Sequence, residues 1–165
     1  MQTENGTRAT GTVLFLCTGN YYRSRHAEEV FNHLAAEAGL AWRATSRGLA
    51  LEFGVNNVGP MSRATQARLT ALGIAHGPDL RMPLPVTEHD LAEVALVVAL
   101  KELEHRPLLS ERFPAWADRV EYWAVHDVDF APPDVALPEI EERVRALVAR
   151  LAAGSVPANS RPADA

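Results

Sequence analysis

Four consecutive apolar residues, Val13-Leu14-Phe15-Leu16, run into Cys17 and stop at the turn-forming pair Gly19-Asn20. So short a run, with no polar alternation, suits a strand buried on both faces. Ala27, Val30, Phe31, Leu34 and Ala38 then recur at helical spacing, and Gly39 offers a C-cap. The same change of period repeats along the chain. Strands are predicted at Trp42 to Thr45, Val94 to Leu100 and Arg119 to Val125. Helices are predicted at Ser62 to Leu72 with Gly73 as stop, briefly after Thr87-x-x-Asp90, and at Lys101 to Arg112, where Pro107 should kink or interrupt. A last helix carries Pro138 in its first turn and an apolar stripe at Ile140, Val144, Leu147, Val148 and Leu151. Strands alternating with helices predict a parallel sheet covered on both faces, with the ligand site beyond the C-terminal strand edges.

The 165 residues suffice for one domain, expected over residues 12–153, with loose termini at 1–11 and 154–165. A hydrophobic fraction of 47% with 22% charged residues is that of a globular chain. Sixteen Lys+Arg against 21 Asp+Glu leave a net charge of −5, which argues against nucleic acid or an anionic membrane as partner. The polar N-terminus lacks the apolar core of a signal peptide, and no apolar run approaches the roughly 20 residues that cross a bilayer. A single cysteine excludes an internal disulfide and makes a cytoplasmic setting the expectation.

That cysteine stands at the predicted sheet edge, in Cys17-Thr18-Gly19-Asn20-Tyr21-Tyr22-Arg23-Ser24. A loop wrapped over a helix N-terminus turns backbone N–H groups inward and forms an anion cradle assisted by the helix dipole. Gly19 allows close backbone approach, and Asn20 tolerates a left-handed conformation. Arg23 supplies a planar fork for two phosphate oxygens. The same field favours a Cys17 thiolate, and Ser24 can hydrogen-bond the sulfur as nucleophile and as leaving group. The plainer alternative is a small buried hydrophobe at a strand end, which explains neither Arg nor Ser at those offsets. Six histidines carry no metal-ligand spacing, so no metal or other cofactor is expected.

Val13 to Glu28, VLFLCTGNYYRSRHAE, resembles the signature of the low-molecular-weight protein tyrosine phosphatases, whose fold is shared with thioredoxin-coupled arsenate reductases. Ser46-Arg47-Gly48, Gly59-Pro60-Met61-Ser62 and Leu100 to His105 extend the resemblance, which spans about Gly11 to Ala152. It implies a three-layer α/β/α fold with a four-stranded parallel sheet and a phosphate-binding loop between strand 1 and helix 1. It further implies attack by Cys17 on phosphorus, a cysteinyl-phosphate, an aspartate as general acid and then base, and no metal. The phosphate-binding residues would be Thr18, Gly19, Asn20, Tyr21, Tyr22, Arg23 and Ser24. The expected substrate is a phosphorylated protein, with phosphotyrosine foremost, or a small aryl phosphate. A monomer or weak homodimer is expected.

Four departures matter. The family's acid lies in an Asp-Pro-aromatic sequence, whereas this chain reads Val125-His126-Asp127-Val128-Asp129-Phe130. Loop position favours Asp127, with Asp129 as the alternative acid. Tyr22 replaces the second loop cysteine of many relatives, which excludes a protective disulfide with Cys17. Tyr21 stands where phosphotyrosine enzymes carry an aliphatic residue and the phosphoarginine branch carries Thr; its ring would narrow the pocket mouth, stack on substrate or pack on the protein. Arg25 replaces a common Pro. Two rival readings remain: a non-catalytic phosphate-binding module that lost its acid, and arsenate reduction, which without further cysteines would depend on an external thiol.

Overall fold

The computed structural model describes residues 11–76 and 80–154. The expected loose termini therefore lie outside the described residues, except for Gly11, which already belongs to the first strand, and Gly154, whose amide donates to the Leu151 carbonyl. In chain order the elements are β1 (Gly11–Cys17), α1 (Arg23–Glu37), β2 (Trp42–Gly48), a 3-10 turn (Leu51–Gly54), α2 (Arg63–Ala71), α3 (Glu88–Glu93), β3 (Leu96–Ala99), α4 (Glu102–Arg112), a second 3-10 turn (Pro114–Trp116), β4 (Glu121–Tyr122) and α5 (Pro133–Ala152). The sheet is parallel throughout, in the order β2-β1-β3-β4.

The apolar runs explain the layering. Val13 and Phe15 face one layer with Phe31 of α1 and Ile140 and Val144 of α5; Leu14 and Leu16 face the other with Leu91 of α3 and Leu109 of α4. Phe15 is fully buried between Phe31, at 6.1 Å between ring centroids, and Trp123, at 5.7 Å. Removing a ring so enclosed costs about 3–5 kcal/mol. Trp42 and Trp123 are buried core residues, as a sheet-face role requires.

Helix ends follow their local chemistry. Ser62 caps α2 by accepting from the amides of Ala64 and Thr65, and Gly73, at φ +75°, follows its C-terminus. Thr87 and Asp90 form a reciprocal capping box on α3. Neither proline ends its helix. Pro107 lies inside an uninterrupted α4, and Pro138 lies inside α5, which starts at Pro133 rather than beside Pro138. Each proline frees the carbonyl four residues earlier, on Leu103 or Asp134, and both residues are exposed, so solvent replaces the missing bond.

The strands also differ from expectation in length. β2 continues through Gly48, which pairs with Cys17 and where a side chain would collide with Leu51 and the Thr18 carbonyl. β4 is short, yet its continuation stays tied to the sheet: Trp123 N–H donates to the Ala99 carbonyl and Val125 N–H to that of Leu100, each at 2.8 Å. Behind the first turn of α1, His26 Nε2 lies 2.9 Å from Glu141 Oε2, and Arg68 clasps both Glu141 oxygens at 2.7 and 2.8 Å. Burial would raise the Glu141 carboxyl, but Arg68 and His26 bring it down to about 2. This cluster fixes α1 against α2 and α5. No helix among the described residues is long and apolar enough to cross a membrane.

Candidate active site

The C-terminal ends of β1, β3 and β4 converge where β1 passes into α1. The connecting loop turns its carbonyls outward. Those of Cys17 and Thr18 accept from the amides of Leu49 and Ala50, that of Tyr21 accepts from Ser62, and that of Tyr22 accepts from the Thr65 hydroxyl. In a planar trans peptide the C=O and the following N–H point in opposite directions. Outward carbonyls at 17, 18, 21 and 22 thus leave the amides of Thr18, Gly19, Tyr22 and Arg23 facing inward. With the N-terminus of α1 beneath them, they form an anion cradle.

Asn20 holds the loop's shape. It is fully buried and left-handed, at φ 51°. Its Oδ1 accepts from Arg81 Nη1 and the Leu84 amide, each at 3.0 Å, and this fixes the amide's orientation. Its Nδ2 donates to Ser24 Oγ and Ser46 Oγ, each at 2.9 Å. Because Ser24 Oγ accepts from Asn20, its own hydrogen is free to point at Cys17 Sγ, 3.0 Å away. Arg81 Nη2 and Glu28 close the network around Ser46.

Arg23 is 2% exposed, and the directions of its fork are divided. Its Nη1 and Nη2 donate to the two oxygens of Glu104 at 3.1 and 2.8 Å, and Nη1 also donates to the Val125 carbonyl at 3.0 Å. The Nε edge has no hydrogen-bond partner; Asp127 Oδ1 lies 3.7 Å from it. One face of the guanidinium is thereby anchored and the other is left for a ligand. Burial works against the Arg23 charge, but Glu104, Cys17 and Asp127 more than offset it and raise its pKa. Burial would likewise raise Glu104, yet His105, Arg23 and the Thr18 hydroxyl, which donates to Glu104, hold it well below the usual carboxylate range. His105 Nδ1 accepts from the Lys101 amide at 3.0 Å, and burial keeps the imidazole below its ordinary value.

A cavity of about 480 Å³ opens above Cys17, which is itself 3% exposed at its floor. Tyr21, Tyr22, Phe53, Asn56 and Asn57 line one part, and Asp127, Val128 and Asp129 line another. Tyr21 donates its hydroxyl to the Val58 carbonyl at 2.7 Å, so its ring is tied to the rim as a wall. Phe53, 67% exposed, stands on the rim. Asp127 is half-buried, while Asp129 and His126 are exposed. Arg25 is buried and donates to the Pro60 carbonyl at 2.7 Å.

The structure thus brings Cys17, Arg23, Ser24 and Asp127 together, with Asp129 also at the cavity. Two neighbours escaped the sequence reading. Glu104 sits one turn past β3, at a C-terminal strand edge, and a carboxylate there was a usable signal. Arg81 reaches Asn20 from 61 positions away in a loop with no periodicity, and nothing local pointed to it.

A family model described as low molecular weight phosphotyrosine protein phosphatase matches residues 12–139. A protein-arginine-phosphatase of Bacillus subtilis (strain 168) is 29% identical over 108 residues, which are 66% of this chain and 67% of that one. Among solved structures, a YwlE mutant from Bacillus subtilis superposes with a TM-score of 0.69 at 25% identity, covering 86% of this chain and 98% of its own. A low molecular weight protein tyrosine phosphatase from T. tengcongensis gives 0.67 at 26%, covering 87% and 99%. The Streptococcus pyogenes protein SP-PTP, a low molecular weight protein tyrosine phosphatase, gives 0.71 at 19%, covering 85% and 92%, a likeness of fold.

Proposed function

Since this chain belongs to the low molecular weight phosphotyrosine protein phosphatase family, whose members are cysteine-based phosphatases, we propose that it hydrolyses phosphotyrosine in proteins through a cysteinyl-phosphate. The observation that carries this reading is Cys17 Sγ at the floor of the cavity, 3.0 Å from a Ser24 hydroxyl whose hydrogen Asn20 leaves free for the sulfur. In the first step the Cys17 thiolate attacks phosphorus, the bond to the leaving oxygen breaks, and Asp127 gives that oxygen its proton. The inward amides and the free edge of Arg23 take the charge on the equatorial oxygens. In the second step water attacks phosphorus, Asp127 receives its proton, and the S–P bond breaks with the Ser24 hydroxyl stabilising the departing thiolate. The deep approach between Tyr21, Tyr22 and Phe53 favours an aryl group on the phosphate.

A phosphoarginine side chain is the second reading. It is supported by the Bacillus relative and by two carboxylates, Asp127 and Asp129, lining the cavity where a cationic guanidinium would sit. Turnover of phosphotyrosine, phosphoarginine and phosphoserine peptides side by side separates the two. Fastest turnover of the phosphotyrosine peptide is the expected result, and preference for phosphoarginine reverses the assignment. Failure to turn over even p-nitrophenyl phosphate, whose leaving group needs little help from an acid, would return the chain to a phosphate-binding module.

A further inference from the structure

One polar group on the cavity wall has no part in the steps above. Tyr22 is 8% exposed, its ring is packed into the core beneath the cavity, and its hydroxyl has no hydrogen-bond partner. Buried hydroxyls without partners are rare, and each calls for a reason. The groups that act on this one are Asp127, Arg23 and Asp134 at the start of α5. Burial first, and then the Asp127 charge, push the phenol up to about 12, so it remains a donor. Asp127, for its part, is a half-exposed carboxylate on an irregular segment, with Arg23 Nε 3.7 Å away.

A donor with nothing to donate to thus shares the wall of one cavity with a carboxylate that has little to hold it. We propose that Tyr22 is a positioning residue for the general acid, its O–H donating to the Asp127 oxygen that does not carry the transferred proton. The inference rests on the reading of Asp127 as the acid. When Asp127 protonates the leaving oxygen, negative charge develops on its carboxyl group, and a donor to the second oxygen stabilises that charge as it forms.

The test is Tyr22→Phe, which keeps the ring and deletes only the unpartnered hydroxyl. Its melting temperature should equal or exceed the wild-type value. With phenyl phosphate kcat/KM, which reports the step that expels the leaving group, should fall about tenfold, against about twofold with p-nitrophenyl phosphate. In an Asp127→Asn background the same substitution should add no further loss. Equal losses on both substrates, no loss on either, or full additivity with Asp127→Asn would overturn the proposal. Independently of how that variant folds, the Tyr22 hydroxyl proton should be protected from exchange in vanadate-bound wild-type protein and exposed in vanadate-bound Asp127→Ala; equal protection overturns the proposal as well. A flat Asp127→Asn response with phenyl phosphate removes the acid assignment and this inference with it. A steep one beside an unaffected Tyr22→Phe removes the inference alone.

Discussion

The loop from Cys17 to Ser24 and the segment from His126 to Pro132 face each other across one cavity and are built on opposite principles. In the first, carbonyls are tied to neighbouring amides, Asn20 is fully buried in a left-handed turn, and the hydrogen-bond chain runs from Arg81 through Asn20 and Ser24 to the sulfur. In the second, His126, Val128, Asp129 and Phe130 are exposed, and Asp127 is only partly covered. Under the proposed mechanism the difference follows from what each must do. Charge stabilisation requires dipoles fixed before the reaction, because reorganising them during it costs rate. A proton donor needs only to reach the leaving oxygen, and a mobile or exposed segment can do that.

Substitutions can break this contrast on either side. The largest effect is expected from Cys17→Ser: turnover falls below detection while phosphate or vanadate still binds, as calorimetry would show, because the cradle survives without its nucleophile. Activity within tenfold of wild type would remove Cys17 from the chemistry. Arg23→Lys comes next and should lose roughly 10³-fold in kcat/KM, nearly as much as Arg23→Ala, since a point charge cannot hold Glu104 and a phosphate with separate edges. A fully active Lys variant would mean that the fork does not meet substrate.

On the acid side, Asp127→Asn should cost on the order of 10²-fold with phenyl phosphate and far less with p-nitrophenyl phosphate. Asp129→Asn should respond weakly to both. A steep response only at Asp129 exchanges the two roles and leaves the rest of the mechanism standing. Arg81→Met sharpens the comparison, because it loosens Asn20 without touching the cavity wall. A loss of about fivefold is expected, equal for both leaving groups, since a cradle defect has no leaving-group dependence. A leaving-group-dependent loss there would show that the two regions are not separable.

The contrast also explains what could be read from the residues alone. The cradle is contiguous, so the residues that the structure brings together there, Cys17, Arg23 and Ser24, lie within eight positions of one another. The sheet was legible from Val13 to Leu16 because an unbroken apolar run has few other uses. Glu104 and Arg81 were missed because topology, not spacing, carries them to the loop. Asp127 and Asp129 were hard to rank because nothing in Val-His-Asp-Val-Asp-Phe says how far each stands from β4. The continuation of α4 and α5 through Pro107 and Pro138 was hard to read for a related reason: a proline's cost depends on whether the carbonyl it frees meets solvent, and local sequence does not fix that.

The ion pair between Arg23 and Glu104 also bears on how substrate arrives. With its one buried guanidinium balanced by a carboxylate, the cradle presents mainly dipoles, whose field dies away within the cavity. At long range an approaching phosphate dianion meets a chain of net charge −5. Mobile ions screen that repulsion beyond about 8 Å at physiological ionic strength. Added salt should therefore quicken encounter modestly, where a cationic funnel would slow it, and stopped-flow binding of a phosphate analogue to Cys17→Ser at rising salt would show the sign. On the proposed function, affinity would then be gained after entry, by the fit of what reaches the loop, with little drawn from attraction at a distance.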